Sequence, residues 1–475
     1  MNPLVLSETA YREVYERIAQ LALDYLAGID RRSCFPNISG VDATDLFAGP
    51  LPELGLGFAA LDDLANVVEA SRAQGPRFFG YVLGSGEPIA AGADLLASVL
   101  NQNVTAWRSG PAATTLEHLV VGWLAEAIGC VGFRGSLTGG GSSANLMALA
   151  MAREARLPAN EHGIREVGTV YASEQVHMSI AKSVALLGIG RDHLRLIPCD
   201  ENFRIRTDLL RQAIADDVTA GKTPIAIVGS AGTVSTGSID PLGELADIAK
   251  ATGAWFHIDG AYGALAALAR PELFIGMDRA DSVSLDPHKW LYQPLDCGCL
   301  LFRESSQARR TFSHTGDYAK SLQESPLEDF TFFDESMELS RRFRALKLWL
   351  SLRYHGLDGF RQQIKNDLQC AQHLALLIDA DQEMERLASV PLSAVCFRYV
   401  PRSGGLNDLQ LNELNLRILL GVQRRGHVYI SNATILGKFA LRACIVNHRT
   451  TAADVEAVIN EVLRSGRELS SGAQP

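Results

Sequence analysis

Four groups of residues in this sequence are of types that could do chemistry together. Lys289 lies in DPHKW (286–290), directly after the apolar run SVSL. A lysine with its ordinary pKa of about 10.4 is a poor nucleophile at neutral pH, but in a dry cleft its amine can condense with an aldehyde. Asp259 ends the apolar run WFHID (255–259). A carboxylate there is costly to bury unless it is paired, and a cationic ring nitrogen would be a suitable partner. His177, in YASEQVHMSIAKS, stands just past the β-rich run TVYAS. The loop TGGGSSAN (138–145) opens a helical pattern, and free backbone N–H groups at a helix start cradle anions, with Ser142 and Ser143 adding hydroxyls. Taken singly, each has a structural reading: a surface charge for Lys289, a helix N-cap for Asp259, a satisfied structural histidine, and an ordinary Gly-Ser turn.

Taken together, an anion cradle, an aromatic ring, a carboxylate and an amine on successive strand ends match the needs of one molecule, pyridoxal 5′-phosphate. Its phosphate needs donors, its ring face a stacking partner, its pyridinium nitrogen a negative charge, and its aldehyde a lysine. The glycine loop lacks the lysine of a Walker loop and the spaced glycines of a dinucleotide fingerprint, which disfavours ATP and NAD.

The elements that must position these groups alternate from about residue 115 onward. Short β-rich runs at 169–173, 194–198, 225–230, 255–259, 282–286 and 297–302 are separated by helical patterns such as VHMSIAKSVALLG and LGELADIAKATG. That alternation predicts an α/β fold with a mostly parallel sheet covered on both faces, binding its ligand at the carboxyl ends of the strands. Residues 11–28 read as an amphipathic helix with Val14, Ile18, Leu21 and Tyr25 on one face. Such a stripe must pack on the body or on another subunit. Residues 34–57 read as an extended connector and 304–340 as a long segment of lid or linker type. The organisation expected is an N-terminal arm over 1–87, a large domain over 88–350, and a small α/β domain over 351–475.

The 475 residues carry 44 basic and 54 acidic side chains, a net charge of −10. Nucleic-acid binding needs a basic face, so it is not expected. No apolar run approaches the roughly 20 residues of a membrane span, and no signal peptide is seen. The eight scattered cysteines have neither zinc-site nor redox spacing and read as reduced thiols of a cytoplasmic protein. No metal is expected.

The motifs DPHKW (286–290), HIDGAYG (257–263), AGTVSTGSIDPL (231–242) and RRFRALKLW (341–349) resemble those of the group II pyridoxal-phosphate decarboxylases, which act on aromatic amino acids, histidine and glutamate. The resemblance runs from about Tyr11 to the C-terminal helix. It implies the aspartate-aminotransferase-like fold (fold type I) with a seven-stranded sheet, and an obligate homodimer whose N-terminal arm wraps the partner. It implies Lys289 as the lysine that binds the cofactor aldehyde. Gly140, Gly141, Ser142 and His288 would be on the phosphate and Asp259 on the ring nitrogen. Ala261 and His177 would cover the two ring faces, with Thr233 a further cofactor contact. It also implies a proton-donating tyrosine on a mobile loop, matched by Tyr318 in HTGDYAKS. A phenylalanine there accompanies aldehyde synthesis in plant relatives, so the tyrosine favours plain decarboxylation.

The residues matching the substrate pocket are Tyr81, Val82, Thr105, Trp107 and Leu295. Of these, Val82, Thr105 and Leu295 replace aromatic rings of the animal aromatic enzymes, as does Ala73. Aromatic side chains are the main apolar surface for recognising another ring. The expected reaction is therefore decarboxylation of an L-amino acid of aromatic type, with an aliphatic or polar substrate, or aldehyde synthesis, as the alternative. A non-catalytic dimeric homologue is the reading from another class. Arg442, in KFALRACIV, is read as a salt-bridge residue, with a substrate carboxylate as its other reading.

Overall fold

The computed structural model describes residues 4–314, 328 and 330–470. Seven strands form the main sheet: β1 (Arg134–Thr138), β2 (Gly168–Ser173), β3 (Leu194–Ile197), β4 (Thr223–Ser230), β5 (Trp255–Asp259), β6 (Ser282–Leu285) and β7 (Gly298–Phe302), in the order β1-β7-β6-β5-β4-β2-β3. The pairs β6–β5, β5–β4, β4–β2 and β2–β3 are parallel, and only β7 runs against its neighbours. One apolar cluster fills each face of the sheet, as a parallel sheet flanked by helices requires. The expected mostly parallel α/β sheet is the observed one.

The strand of this sheet that sequence reading passed over is β1. It is five residues of RGSLT with two small residues, and its alternation is too short to register. It matters because it ends at Thr138, so that the glycine loop leaves the sheet beside the start of β7, where Thr138 pairs with Gly298.

A second sheet of four antiparallel strands, β8 (Met384–Arg386), β9 (Ala394–Tyr399), β10 (Ser431–Ile435) and β11 (Lys438–Cys444), packs with helices Asp408–Arg425 and Ala452–Ser470 around its own apolar cluster. The helical segment Ala345–Ala380 carries the chain from the large sheet to the small one. It breaks at Gly356, whose φ of 70° is left-handed and open to glycine without steric cost.

At the N-terminus the helix runs Glu8–Gly28, three residues longer than the periodicity predicts, because the Ser7 side chain caps the amide of Ala10. None of its residues is buried. The stretch read as a connector contains a helix, Gly40–Phe47, started by a reciprocal capping box between Ser39 and Asp42. The segment from 304 opens with a helix, Ser305–Phe312.

His118, on helix Pro111–Ala127, packs edge-on to Phe330 at 3.9 Å between ring centroids and faces Phe332 at 5.1 Å. Burial first, then the neighbouring Arg134 and Arg341, push its pKa down to about 4. A histidine depressed in the fold but not in the unfolded chain, where it titrates near about 6.5, contributes stability that is complete above that pH and lost as pH falls toward about 4. The His118→Phe variant is therefore expected to lose less stability than the parent, by up to about 3 kcal/mol, when urea midpoints at about pH 7 and about pH 4.5 are compared. An equal acid-induced loss in both proteins would show that this ring does not carry the linkage.

Candidate active site

The strand ends meet in one cleft of about 430 Å³. The glycine loop enters it from β1, His177 from β2, Ser230 from β4, Asp259 from β5 and Asp286 from β6. The carboxyl edge of an open α/β sheet is where such folds bind ligands. Gly139, Gly140, Gly141, Ser142, His177, Thr233, Asp259, Ala261, His288 and Lys289 all line it.

The glycines are there for space. Gly140 has φ 139°, and a Cβ on Gly141 would lie 2.7 Å from the Ala261 methyl and 3.2 Å from Asp286 Oδ2. Helix Gly141–Arg156 thus begins flush against the cleft floor, with its first amides open to an anion.

Lys289 sits in a single turn of helix, Pro287–Trp290, after β6, and its Nζ is 3.0 Å from Asp286 Oδ2. Asp286 is 3% exposed and its Oδ1 has no hydrogen-bond partner among the described residues. His288 donates Nδ1–H to the Cys297 carbonyl at 2.7 Å, leaving Nε2 3.5 Å from Asp286 Oδ2. Burial holds His288 below the usual histidine range, with Asp286 opposing.

Asp259 is not a helix N-cap. Its Oδ2 accepts from Asn145 Nδ2 at 2.9 Å, and its Oδ1 from Ser284 Oγ and the Ala261 amide at 3.3 and 3.2 Å. It is 7% exposed and forms no ion pair among the described residues. A carboxylate so buried calls for a cation, and a protonated ring nitrogen is one.

His177 caps helix Met178–Leu186, its Nδ1 accepting the Ser179 amide at 3.2 Å. Burial depresses its pKa, against the pull of Asp259. The donor loop, the uncompensated carboxylate, the amine and the half-buried ring fit pyridoxal 5′-phosphate.

Of the pocket residues, Tyr81, Val82 and Leu295 line the same cleft. Tyr81, at φ 62°, leans on Phe78 and Tyr429 with its hydroxyl 3.2 Å from that of Tyr429. Thr105 and Trp107 do not line it. Their backbones bond to Phe332 and Phe330 instead, and Ala73 is buried away from it. Tyr318 lies outside the described residues. Arg442 lines the cleft at 4% exposure and makes no ion pair among the described residues. It donates to Ser431 Oγ and to the Tyr81 carbonyl, each at 3.3 Å, and its Nε has no partner. The salt bridge expected of it is not formed.

Sequence reading missed Asn145, His257, Ser282 and Asp286. Asp286 sits in the quoted DPHKW itself. His257 and Ser282 were visible as polar residues inside strands that the fold buries on both faces, whereas Asn145 lies in the first turn of helix Gly141–Arg156.

Comparison with known proteins agrees with this geometry. Residues 61–400 match the family model described as the pyridoxal-dependent decarboxylase conserved domain. An aromatic-L-amino-acid decarboxylase of Bacillus atrophaeus is 32% identical over 98% of both chains. A phenylacetaldehyde synthase of Petunia hybrida is 32% identical over 78% of this chain and 77% of its own. Among solved structures, Oryza sativa TDC with PLP and tryptamine superposes with a TM-score of 0.92 at 26% identity, covering 99% of both chains. With a family match over 61–400, full-length similarity to a curated relative and a cleft built for the cofactor, this chain belongs to the pyridoxal-dependent decarboxylases and is a pyridoxal-phosphate-dependent carboxy-lyase.

Proposed function

We propose that the protein decarboxylates an aromatic L-amino acid to its amine and CO2. The observation that carries this is the convergence of Lys289, Asp259, His177 and the glycine loop in one cleft whose outer wall is Tyr81, Val82 and Leu295. The aromatic class is supported by the relatives and by Tyr81, whose ring is fixed against Phe78 and Tyr429.

Pyridoxal 5′-phosphate, when bound, supplies the electron sink that makes loss of CO2 from Cα possible. The chain does the rest. Lys289 Nζ would hold its aldehyde, and the 140–142 loop with His288 would hold its phosphate. Asp259 would keep a proton on the ring nitrogen, Ala261 and His177 would cover the ring, and Thr233 would be a further contact. Arg442 stands where it can meet the substrate carboxylate with a guanidinium already shared with Ser431 and the Tyr81 carbonyl. That loose hold suits a group that must leave, because a tight ground-state clamp would oppose the reaction. On sequence grounds, Tyr318 returns the proton to Cα.

A homodimer is supported by the N-terminal helix, whose Tyr11, Tyr15 and Ile18 stand 44%, 41% and 37% exposed. Thr105 and Trp107, outside the cleft of their own chain, are the residues such an assembly would bring to its shared site. A cytoplasmic location is supported by eight free cysteines. No helix among the described residues is long and apolar enough to cross a membrane.

CO2 release across a panel of L-amino acids with added cofactor tests the substrate class. Turnover confined to aliphatic or acidic substrates would remove the aromatic reading. The second reading, aldehyde synthesis, is supported by the similarity to the Petunia synthase and opposed by the tyrosine at position 318. The Tyr318→Phe variant is expected to release at least about tenfold less amine and, with dioxygen and water as co-substrates, to produce aldehyde, ammonia and hydrogen peroxide alongside CO2 in its place. Unchanged amine output would take the proton-donor role from Tyr318.

A further inference from the structure

In β5 the side chains of Trp255, His257 and Asp259 point to one face, by the two-residue period of a strand. On β6, Ser282 and Ser284 pair with His257 and Asp259 in register. A sheet buried on both faces normally carries apolar residues there. Here it carries a continuous hydrogen-bond chain. Trp255 Nε1 and Ser282 Oγ are 2.8 Å apart, Ser282 Oγ and His257 Nδ1 3.0 Å, and His257 Nε2 and Asn145 Oδ1 2.9 Å. Asn145 Nδ2 then reaches both Asp259 Oδ2 and Ser179 Oγ at 2.9 Å, and Ser179 Oγ lies 2.8 Å from His177 Nδ1.

One fact orders all of these bonds. An ionised Asp259 only accepts, so Asn145 must turn its NH2 toward Asp259 and its oxygen toward His257. His257 must then carry its hydrogen on Nε2. It is fully buried, and burial pushes its pKa down to about 4, so the ring is neutral and Nδ1 is bare. Ser282 donates to that bare nitrogen and accepts from the Trp255 indole. On the other branch, the second Asn145 hydrogen goes to Ser179. The Ser179 hydroxyl is then free to donate to His177 Nδ1, which already accepts the Ser179 amide. This leaves the His177 hydrogen on Nε2.

We propose that Asn145 and His257 are positioning residues, a one-way chain beneath the cleft that holds Asp259 aimed as a hydrogen-bond acceptor while fixing the tautomer of His177. The proposal rests on the reading that Asp259 faces the cofactor ring nitrogen. The charged groups acting on His177 are Asp259, Lys289 and Asp286, which line the same cleft, with Lys182 on the His177 helix.

The test is cofactor affinity, measured by fluorescence quenching as pyridoxal 5′-phosphate is added back to the apoprotein across a range of pH. Removing donors from a carboxylate raises its pKa. The His257→Leu and Asn145→Leu variants are therefore expected to bind about tenfold more weakly, and the acid limb of their affinity profile to move up by about one pH unit. His257→Gln keeps an N–H for Asn145 and is expected to stay within about threefold of the parent, with its acid limb unmoved. Asn145→Ser takes the place of Asn145→Leu if the latter does not fold.

A merely structural role lowers the melting temperature and leaves the acid limb in place, and that result overturns the proposal. So does a His257→Gln variant as impaired as His257→Leu. Asp259→Asn is the control for the underlying reading. If it binds cofactor like the parent, Asp259 does not face the ring and the reading itself fails. If it binds weakly while both leucine variants bind normally, only the chain is disproved.

Discussion

Lys289→Ala is expected to lose activity by about 10³-fold or more and to lose the absorption of a cofactor bonded to protein. Borohydride reduction and peptide mapping of the parent should place a pyridoxyl tag on Lys289. The reason is positional as well as chemical. The amine is the only lysine nitrogen lining the cleft among the described residues, it stands 3.0 Å from Asp286, and the turn Pro287–Trp290 that carries it is locked by Trp290, which is fully buried against Tyr262. A nearby lysine cannot take its place without rebuilding that turn. A tag on another residue, or a variant that keeps both colour and turnover, would overturn the assignment.

The second large effect is expected at Asp259. Asp259→Asn keeps the shape and most of the hydrogen bonds but loses the charge, so nothing holds a proton on the ring nitrogen and the electron sink weakens. A loss of about 10²- to 10⁴-fold in kcat is expected, with the fold intact by melting temperature. Asparagine also has one acceptor oxygen where the carboxylate has two, so either Asn145 Nδ2 or the Ala261 amide loses its acceptor. Wild-type kcat in this variant would mean that the ring is held neutral, or that it lies elsewhere.

Much of this was legible in the sequence, for identifiable reasons. Apolar runs that stop on a single polar residue, as WFHI stops on Asp259, mark the ends of buried strands, and strand ends converge in a doubly wound sheet. Glycines before a helical pattern marked the loop. What stayed hidden depended on contacts far apart along the chain. Asn145 looked like one more residue of a helix start, and only the packing of that helix across β5 and β6 sets its amide between His257 and Asp259. Arg442 read as half of a salt bridge because its strand context is that of a core, whereas among the described residues no carboxylate pairs with it. Thr105 and Trp107 matched a pocket by motif, yet their strand-like pairing is with residues 330–332. A window of local sequence carries no information about that pairing.

His177 is also the residue whose ring nitrogen accepts the first free amide of helix Met178–Leu186. Exchange at this position is therefore never a single change. Alanine removes the ring proposed to cover the cofactor and at the same moment opens the helix end, at a cost of about 1 kcal/mol. Asparagine or serine removes the ring but keeps an oxygen for that amide. Among the substitutions that spare the scaffold, short polar side chains are thus the ones that isolate what the imidazole does.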